Sequence, residues 1–300
     1  MLTDGFRVLN IDGSLVAQEE LMRHSAVVVD LQDMARRLRF LSTRRSLEDF
    51  SARLNISQCN KATFIGSGDY HHLSAALIGQ WRKQSTPLSV VVFDNHPDWD
   101  ITSPWPCCGS WVNEILNFPF IRKVVVIGLG RFDLRGWHGL RGNTRAVRSG
   151  KLELYPVSWP RTKIPFAPDL QWCTLARYGL DYVMNRVVEN LPTREIYLSI
   201  DKDCLRACDA FTNWEVGALS LDDLTRAVEL LAREKEIVGG DIVGEYSRGD
   251  NDNFIFDTIS RLNHPSQRIP DAHKLATNER TNFALLRALG FNKTHFRKLT

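Results

Sequence analysis

The residues best equipped for chemistry lie in short acidic and histidine-bearing segments that follow apolar runs. The first, VVVFDNHPDWD (residues 90–100), carries Asp94, His96 and Asp98 at alternate positions. In an extended strand end such positions point to one side, and Pro97 cannot prolong the ladder. The second, EIYLSIDKDCL (residues 195–205), repeats the i, i+2 spacing with Asp201 and Asp203. A single aspartate after a strand is ordinarily a turn residue or a helix cap. Two such clusters after two separate apolar runs ask for more, because an unpaired carboxylate at a buried strand end is costly unless a cation compensates it. Asp94, Asp98, Asp201 and Asp203 together balance the charge of two divalent ions. Carboxylates with an imidazole suit a hard or borderline ion such as Mn2+.

Two further segments extend the set. GSGDYHHLSAAL (residues 66–77) places His71 and His72 where a turn passes into a helix. Neighbours on a helix point about 100° apart, so the two cannot both face one site. GGDIVGEYS (residues 239–247) ends in Glu245, a carboxylate that suits either a cationic substrate group or an ion pair.

Elements must bring these segments together. Ala26–Val29, Thr63–Ile65, Leu88–Phe93, Lys123–Ile127, Leu152–Tyr155, Ile196–Ile200 and Ile237–Val243 are short, Val- and Ile-rich runs that read as buried strands. Ser46–Leu54, Leu73–Lys83, Leu175–Glu189, Leu221–Glu234 and Asn278–Leu289 carry helical spacing, with Ser46 and Ser220 as expected caps. Strands alternating with helices predict an α/β fold with a parallel sheet covered on both faces. Ligands then sit outside the carboxyl ends of the strands, where the acidic segments fall.

Composition narrows the remaining classes. The 300 residues, 43% of them hydrophobic, are enough for a core without disulfides. A net charge of +3 gives no electrostatic footprint for nucleic acid. Cys59, Cys107, Cys108, Cys173, Cys204 and Cys208 form no C-x-x-C pair, which points to buried thiols in a reducing compartment. The first residues do not read as a signal peptide, and no apolar run approaches the roughly 18 residues of a membrane span. A cytoplasmic protein with no membrane partner is expected.

Taken together, these segments resemble the ureohydrolase superfamily of arginase, agmatinase and formimidoylglutamase. That family carries Gly-Gly-Asp-His-Ser, then Asp-Ala-His-x-Asp, then Ser-x-Asp-x-Asp. Asp94-Asn95-His96-Pro97-Asp98 fits the second and Ser199-Ile200-Asp201-Lys202-Asp203 the third, over a resemblance spanning most of residues 60–247. It implies a single arginase-like domain over residues 1–300, three layers (α/β/α) around a mainly parallel eight-stranded sheet, and a homo-oligomer, trimeric or hexameric. It also implies two divalent ions, manganese in the family, bridged by Asp94 and Asp201. Asp98 and the histidine of the first motif complete one ion's set, and His96 with Asp203 the other's. His71 is the expected histidine, with His72 in reserve.

The resemblance implies hydrolysis of a C–N bond in a guanidino, amidino or formimino compound, the attacking hydroxide arising from water between the two ions. Asp98 would shuttle its proton and Glu245 would hold the cationic end of a small nitrogenous substrate. Four departures suggest a changed pocket. A residue is inserted before His71, Cys108-Gly109-Ser110-Trp111 lacks the histidine usual after the second motif, Arg206-Ala207-Cys208-Asp209 replaces the x-x-Asp-Pro usual after the third, and Asp241 to Glu245 is offset from Asp-x-x-Glu. Trp111 and Trp214 are candidate pocket walls or plain packing, with Asn213 and Glu215 at the rim. A dimetal hydrolase of another bond, a ligand-binding relative without turnover, and purely structural metals are the competing readings.

Overall fold

Valine and isoleucine runs form strands here because both faces of the sheet are buried, and β-branched side chains fit a pleated surface covered on either side. A computed structural model describes residues 3–54, 60–81, 86–130, 141–158, 172–263 and 272–291. The strands are β1 (Thr3–Asn10), β2 (Val27–Asp30), β3 (Asn60–Ser67), β4 (Leu88–Phe93), β5 (Ile121–Leu129), β6 (Leu152–Pro156), β7 (Glu195–Asp201) and β8 (Glu236–Glu245). They make one eight-stranded sheet in the order β2-β1-β3-β8-β7-β4-β5-β6. Every adjacent pair is parallel, so the mainly parallel sheet of the expectation is wholly parallel.

Alternate residues divide the core. Val90, Val92, Val124 and Val126 pack on one face with Leu73, Ile78, Val112 and Ile115. Val91, Phe93, Val125 and Ile127 pack on the other with Val183, Val187, Leu224 and Leu231. These partners come from the helices Leu73–Gly79, Trp111–Ile115, Leu180–Asn190 and Leu221–Glu234. The result is a helix layer on each side of the sheet. No helix among the described residues is long and apolar enough to cross a membrane.

Several local expectations change. β1 was not anticipated. Ser46 does not cap its helix: Arg44–Arg53 starts one turn earlier, and the Thr43 hydroxyl accepts from the Ser46 N–H. Ser220 does cap Leu221–Glu234, accepting from the Asp223 N–H. The run Leu175–Glu189 breaks at Gly179, whose φ of 80° no helix tolerates, into Leu175–Tyr178 and Leu180–Asn190. Lys83 and Cys59 lie outside the described residues, as do residues 131–140 and the basic stretch Lys293–Lys298.

Register positions the chemistry. Phe93 on β4 lies opposite Ile200 on β7, so the next residues, Asp94 and Asp201, leave neighbouring strands at the same level. Ser67, the last residue of β3, lies opposite Glu245 on β8. The carboxyl ends of β3, β8, β7 and β4 thus form a contiguous rim at the centre of the sheet. Outer strands β5 and β6 were laid down between β4 and β7 in the sequence, so the chain reverses direction across the sheet at this point, where α/β sheets bind ligands.

Candidate metal centre

The acidic segment after β4 does not continue as a strand. Asp98 has a φ of 45°, a left-handed conformation that aspartate tolerates better than most residues. Convergence is achieved by turns instead, each fixed by a carboxylate that accepts a nearby backbone N–H. Asp94 Oδ1 accepts from the His96 N–H at 2.6 Å. Asp201 Oδ1 accepts from the Asp203 N–H at 2.9 Å, and Asp203 Oδ1 from the Asn95 N–H at 3.1 Å. One oxygen of each carboxylate is thereby anchored and the other turns inward.

The inward atoms meet two histidines. His71 Nδ1 stands 3.2 Å from Asp94 Oδ2, 3.4 Å from Asp98 Oδ2 and 3.5 Å from Asp201 Oδ2. His96 Nδ1 stands 3.0 Å from Asp203 Oδ2 and 3.5 Å from Asp94 Oδ1. Ligands held about 2.1 Å from one ion in octahedral array lie about 3 Å apart when adjacent, so this spacing fits cations between the atoms. Two groups with metal-ligand spacing result, His71 with Asp94 and Asp98, and His96 with Asp94 and Asp203. Asp94 belongs to both, and its buried Oδ2 has no hydrogen-bond donor. Asp201 borders the first group through His71 without joining either. The chain packs closely here: a Cβ on Gly68 would come within 2.9 Å of Asp201 Oδ2.

A second layer orients His71. Its Nε2 lies 2.9 Å from Ser199 Oγ, and that hydroxyl donates to Asp241 Oδ1 at 2.7 Å. Because Ser199 spends its proton on Asp241, it accepts from His71 Nε2, which leaves Nδ1 facing the carboxylates as the nitrogen that a cation would take once its proton is displaced. A carboxylate-backed relay of this kind is how metal-binding imidazoles are held in one tautomer. Asp98 is held from another side by Trp111 Nε1, which donates to its Oδ2 at 2.7 Å. Trp111 is fully buried, so it positions Asp98 rather than walling the pocket. Ser199 was visible in the third motif, two residues before Asp201 and so on the same strand face. Nothing in the sequence pointed to the Trp111 contact.

His72 turns away. Its Nε2 lies 2.7 Å from Ser42 Oγ, and burial together with the neighbouring His71 pushes its pKa down to about 3. His72→Asn is expected to leave bound metal unchanged and to cost about 1–3 kcal/mol of stability. His71→Ala is expected to remove at least about one ion per chain. Elemental analysis of the two purified variants checks both statements, and metal loss from His72→Asn alone would reverse the assignment.

The electrostatics of the metal-free site fit the same reading. Burial and the Asp94 charge hold the Asp98 carboxyl up at about 7. Burial opposes a charged His71, yet the carboxylates of Asp94 and Asp98 that face its Nδ1 raise its pKa well above the ordinary value. Burial, then the charges of Asp203 and Asp94, lift Asp201 well above the carboxylate range. Below about pH 7 these ligands carry protons that cations must displace, so affinity falls as pH falls. Mn2+ is expected to bind at least about tenfold more weakly at pH 6 than at pH 8, with about one or more protons released per ion. Calorimetry in buffers of different ionisation heat measures this, and a pH-independent affinity would mean that other groups bind.

Glu245 does not face the site as expected. Its carboxylate pairs with Lys202 and accepts from Asn282 Nδ2 at 2.7 Å and Asn278 Nδ2 at 2.8 Å. Lys202 is completely buried and also donates to Asn282 Oδ1 at 3.0 Å. With both oxygens engaged beneath the rim, Glu245 is a structural anion and not a substrate anchor. Asn213 is likewise structural, exchanging two hydrogen bonds with the Ser247 backbone. Glu215 and Trp214 do line the cavity above the carboxylates, which measures about 620 Å³.

No protein-family model matches the chain. A protein of Thermotoga maritima described as uncharacterized is 27% identical over 237 residues, covering 78% of this chain and 70% of that protein. Among solved structures, arginase from Bacillus cereus superposes with a TM-score of 0.61 at 17% identity, over 95% of this chain and 96% of that one. Formimidoylglutamase from Bacillus subtilis gives 0.60 at 14% identity, over 96% and 86% of the two chains. Proclavaminate amidino hydrolase from Streptomyces clavuligerus gives 0.54 at 16% identity, over 95% and 91%. The chain has the arginase-like fold that these three structures share.

Proposed function

We propose that the protein is a dimetal hydrolase, manganese-dependent, that cleaves a C–N bond of an amidino, guanidino or formimino compound. The observation that carries this reading is the pair of ligand groups joined through Asp94, buried except for the partly exposed His96, with His71 held in a metal-binding tautomer by Ser199 and Asp241. The fold shared with arginase and formimidoylglutamase supports the reaction class. His71, Asp94, His96, Asp98, Asp201 and Asp203 would hold the ions. When bound, two divalent cations supply charge that polarises the substrate's planar carbon and eases proton loss from water.

The chain's own residues supply the rest. Asp98, fixed by Trp111, offers a carboxyl that accepts a proton from the attacking water and passes it to the leaving nitrogen. Its metal-free value of about 7 falls when cations neutralise Asp94 beside it, which leaves it ionised and ready to accept. Burial of His71, Asp94, Asp201 and Asp203 excludes bulk water from that face of the site. Among the described residues lining the cavity, every histidine is a ligand candidate, and Asp98, which faces His71 within the ligand cluster, is the base this reading assigns.

That same observation gives the ligand-binding reading a basis, since no histidine beyond the ligand candidates stands among the described lining residues to help turnover. One assay separates the two. Protein reconstituted with Mn2+ is incubated with amidino, guanidino and formimino compounds, and urea, ammonia and formamide are measured. Product formation that vanishes in Asp98→Asn supports the hydrolase. Calorimetric binding of those compounds without any product supports the binding protein, and neither binding nor product discards both.

A further inference from the structure

One feature of the cavity is stranger than its ligands. Phe40 has a φ of 65°, a left-handed conformation that costs an aromatic residue about 1–2 kcal/mol and survives only where the surroundings impose it. They do so here. Arg39, 2% exposed, pairs with the fully buried Asp69 at 2.7 Å. The Phe40 N–H donates to the Asp69 carbonyl at 3.0 Å, and the Cys108 N–H donates to the Phe40 carbonyl at 3.3 Å. Asn251 Nδ2 holds the carbonyls on either side, those of Arg39 at 2.6 Å and Leu41 at 3.2 Å.

The strained turn presents the Phe40 ring to Trp214. The two rings stack, 5.9 Å apart and 17° from parallel. Trp214 is tied back to Asp69, donating from Nε1 to Oδ1 at 3.0 Å, and its ring meets the His96 ring edge-on at 5.7 Å. An aromatic wall therefore starts at a ligand histidine, and Asp69 locks it to the turn that carries His71. The cationic part of the lining is neutralised. Arg141, the only lysine or arginine among the described lining residues, is paired with Asp100 at 2.5 Å. A substrate carboxylate finds no uncommitted cation among those residues, whereas a flat apolar group finds two stacked rings. About 620 Å³ also exceeds what an amidine head alone needs, since cavities of about 300–1,000 Å³ hold drug-sized ligands.

We propose that Phe40 and Trp214 are specificity-determining residues, and that the substrate carries a flat aromatic or similarly apolar group, without a carboxylate, beside its reacting C–N centre. The proposal rests on the metal-centre reading for where the head group binds. Benzamidine and acetamidine test it, sharing one cationic head and differing only in the ring. Binding to Mn2+-loaded protein is measured by calorimetry, without reference to turnover. Benzamidine is expected to bind at least about tenfold tighter, a preference within reach of one aromatic contact plus its buried area. Phe40→Leu and, independently, Trp214→Leu should shrink that ratio to about threefold or less, each variant being checked for native circular dichroism. Equal affinity of the two probes for the unmodified protein, no binding of benzamidine, or an unchanged ratio in both folded variants overturns the proposal. Ring preference without hydrolysis of any compound would uphold the wall and sink the hydrolase. Hydrolysis without ring preference would do the reverse.

Discussion

Asp94→Asn should reduce bound metal from about two ions per chain to below about one, and should abolish metal-induced thermal stabilisation. The effect is expected to be the largest of any ligand substitution, because Asp94 alone belongs to both ligand groups. Asparagine keeps the acceptor that receives the His96 N–H, so the turn is retained. It replaces the inward oxygen, which has no donor, with an amide that cannot ligate a cation. Metal-free stability should fall, because the buried Asp94 anion, which His71 and His96 hold well below the ordinary carboxylate range against the pull of burial, loses its charge. Ligand present at about 100 times its Kd stabilises a protein by about 2.7 kcal/mol, and this increment should disappear in the variant. The count of bound ions, measured directly, separates a metal site from a packing defect, which would lower stability and leave the ions in place. Retention of both ions by Asp94→Asn would show that the centre is built from other residues.

How much of this was readable in the sequence depends on the range of the interaction. Asp94, His96, Asp98, Asp201 and Asp203 announce themselves because each follows a strand, and a parallel sheet brings strand ends to one rim. β1 escaped notice for a local reason. Arg7 interrupts its apolar pattern and is nevertheless buried, with Nη2 donating to Thr63 Oγ1 at 3.1 Å. A charge inside a strand hides the strand unless its partner is known. The anchors were hidden more completely. Trp111 reaches Asp98 across thirteen positions, Arg39 reaches Asp69 across thirty, and Asn278 and Asn282 reach Glu245 across thirty-three and thirty-seven. Spacing within one element cannot report such pairs. The choice between His71 and His72 belongs to the same class, since both are buried and only Ser199 and Ser42 decide which way each ring points.

Lys202→Met should destabilise the protein by about 3–5 kcal/mol, the usual result of leaving a buried charge without its partner. Lys202 is wholly inaccessible, and burial pulls its ammonium below the ordinary lysine range while Glu245 works to keep it charged. Methionine matches the lysine stem in volume, so cavity formation contributes little and the stranded Glu245 carboxylate accounts for the loss. Glu245→Gln should also destabilise, though less, because the amide still offers an oxygen to Lys202. Combining Lys202→Met with Glu245→Gln should recover part of the loss, since the pair is then removed together. Denaturant titration of the three variants reads the coupling directly. Lys202 also lies between Asp201 and Asp203 in the sequence, so loosening it moves two candidate ligands. Metal affinity in Lys202→Met should fall by about 10–100-fold, the range seen when groups that orient ligands are lost. A Glu245 that instead anchored substrate would give the opposite pattern, with Glu245→Gln raising KM at unchanged stability. The buried pairing predicts that the stability change comes first and that any kinetic change follows from metal loss.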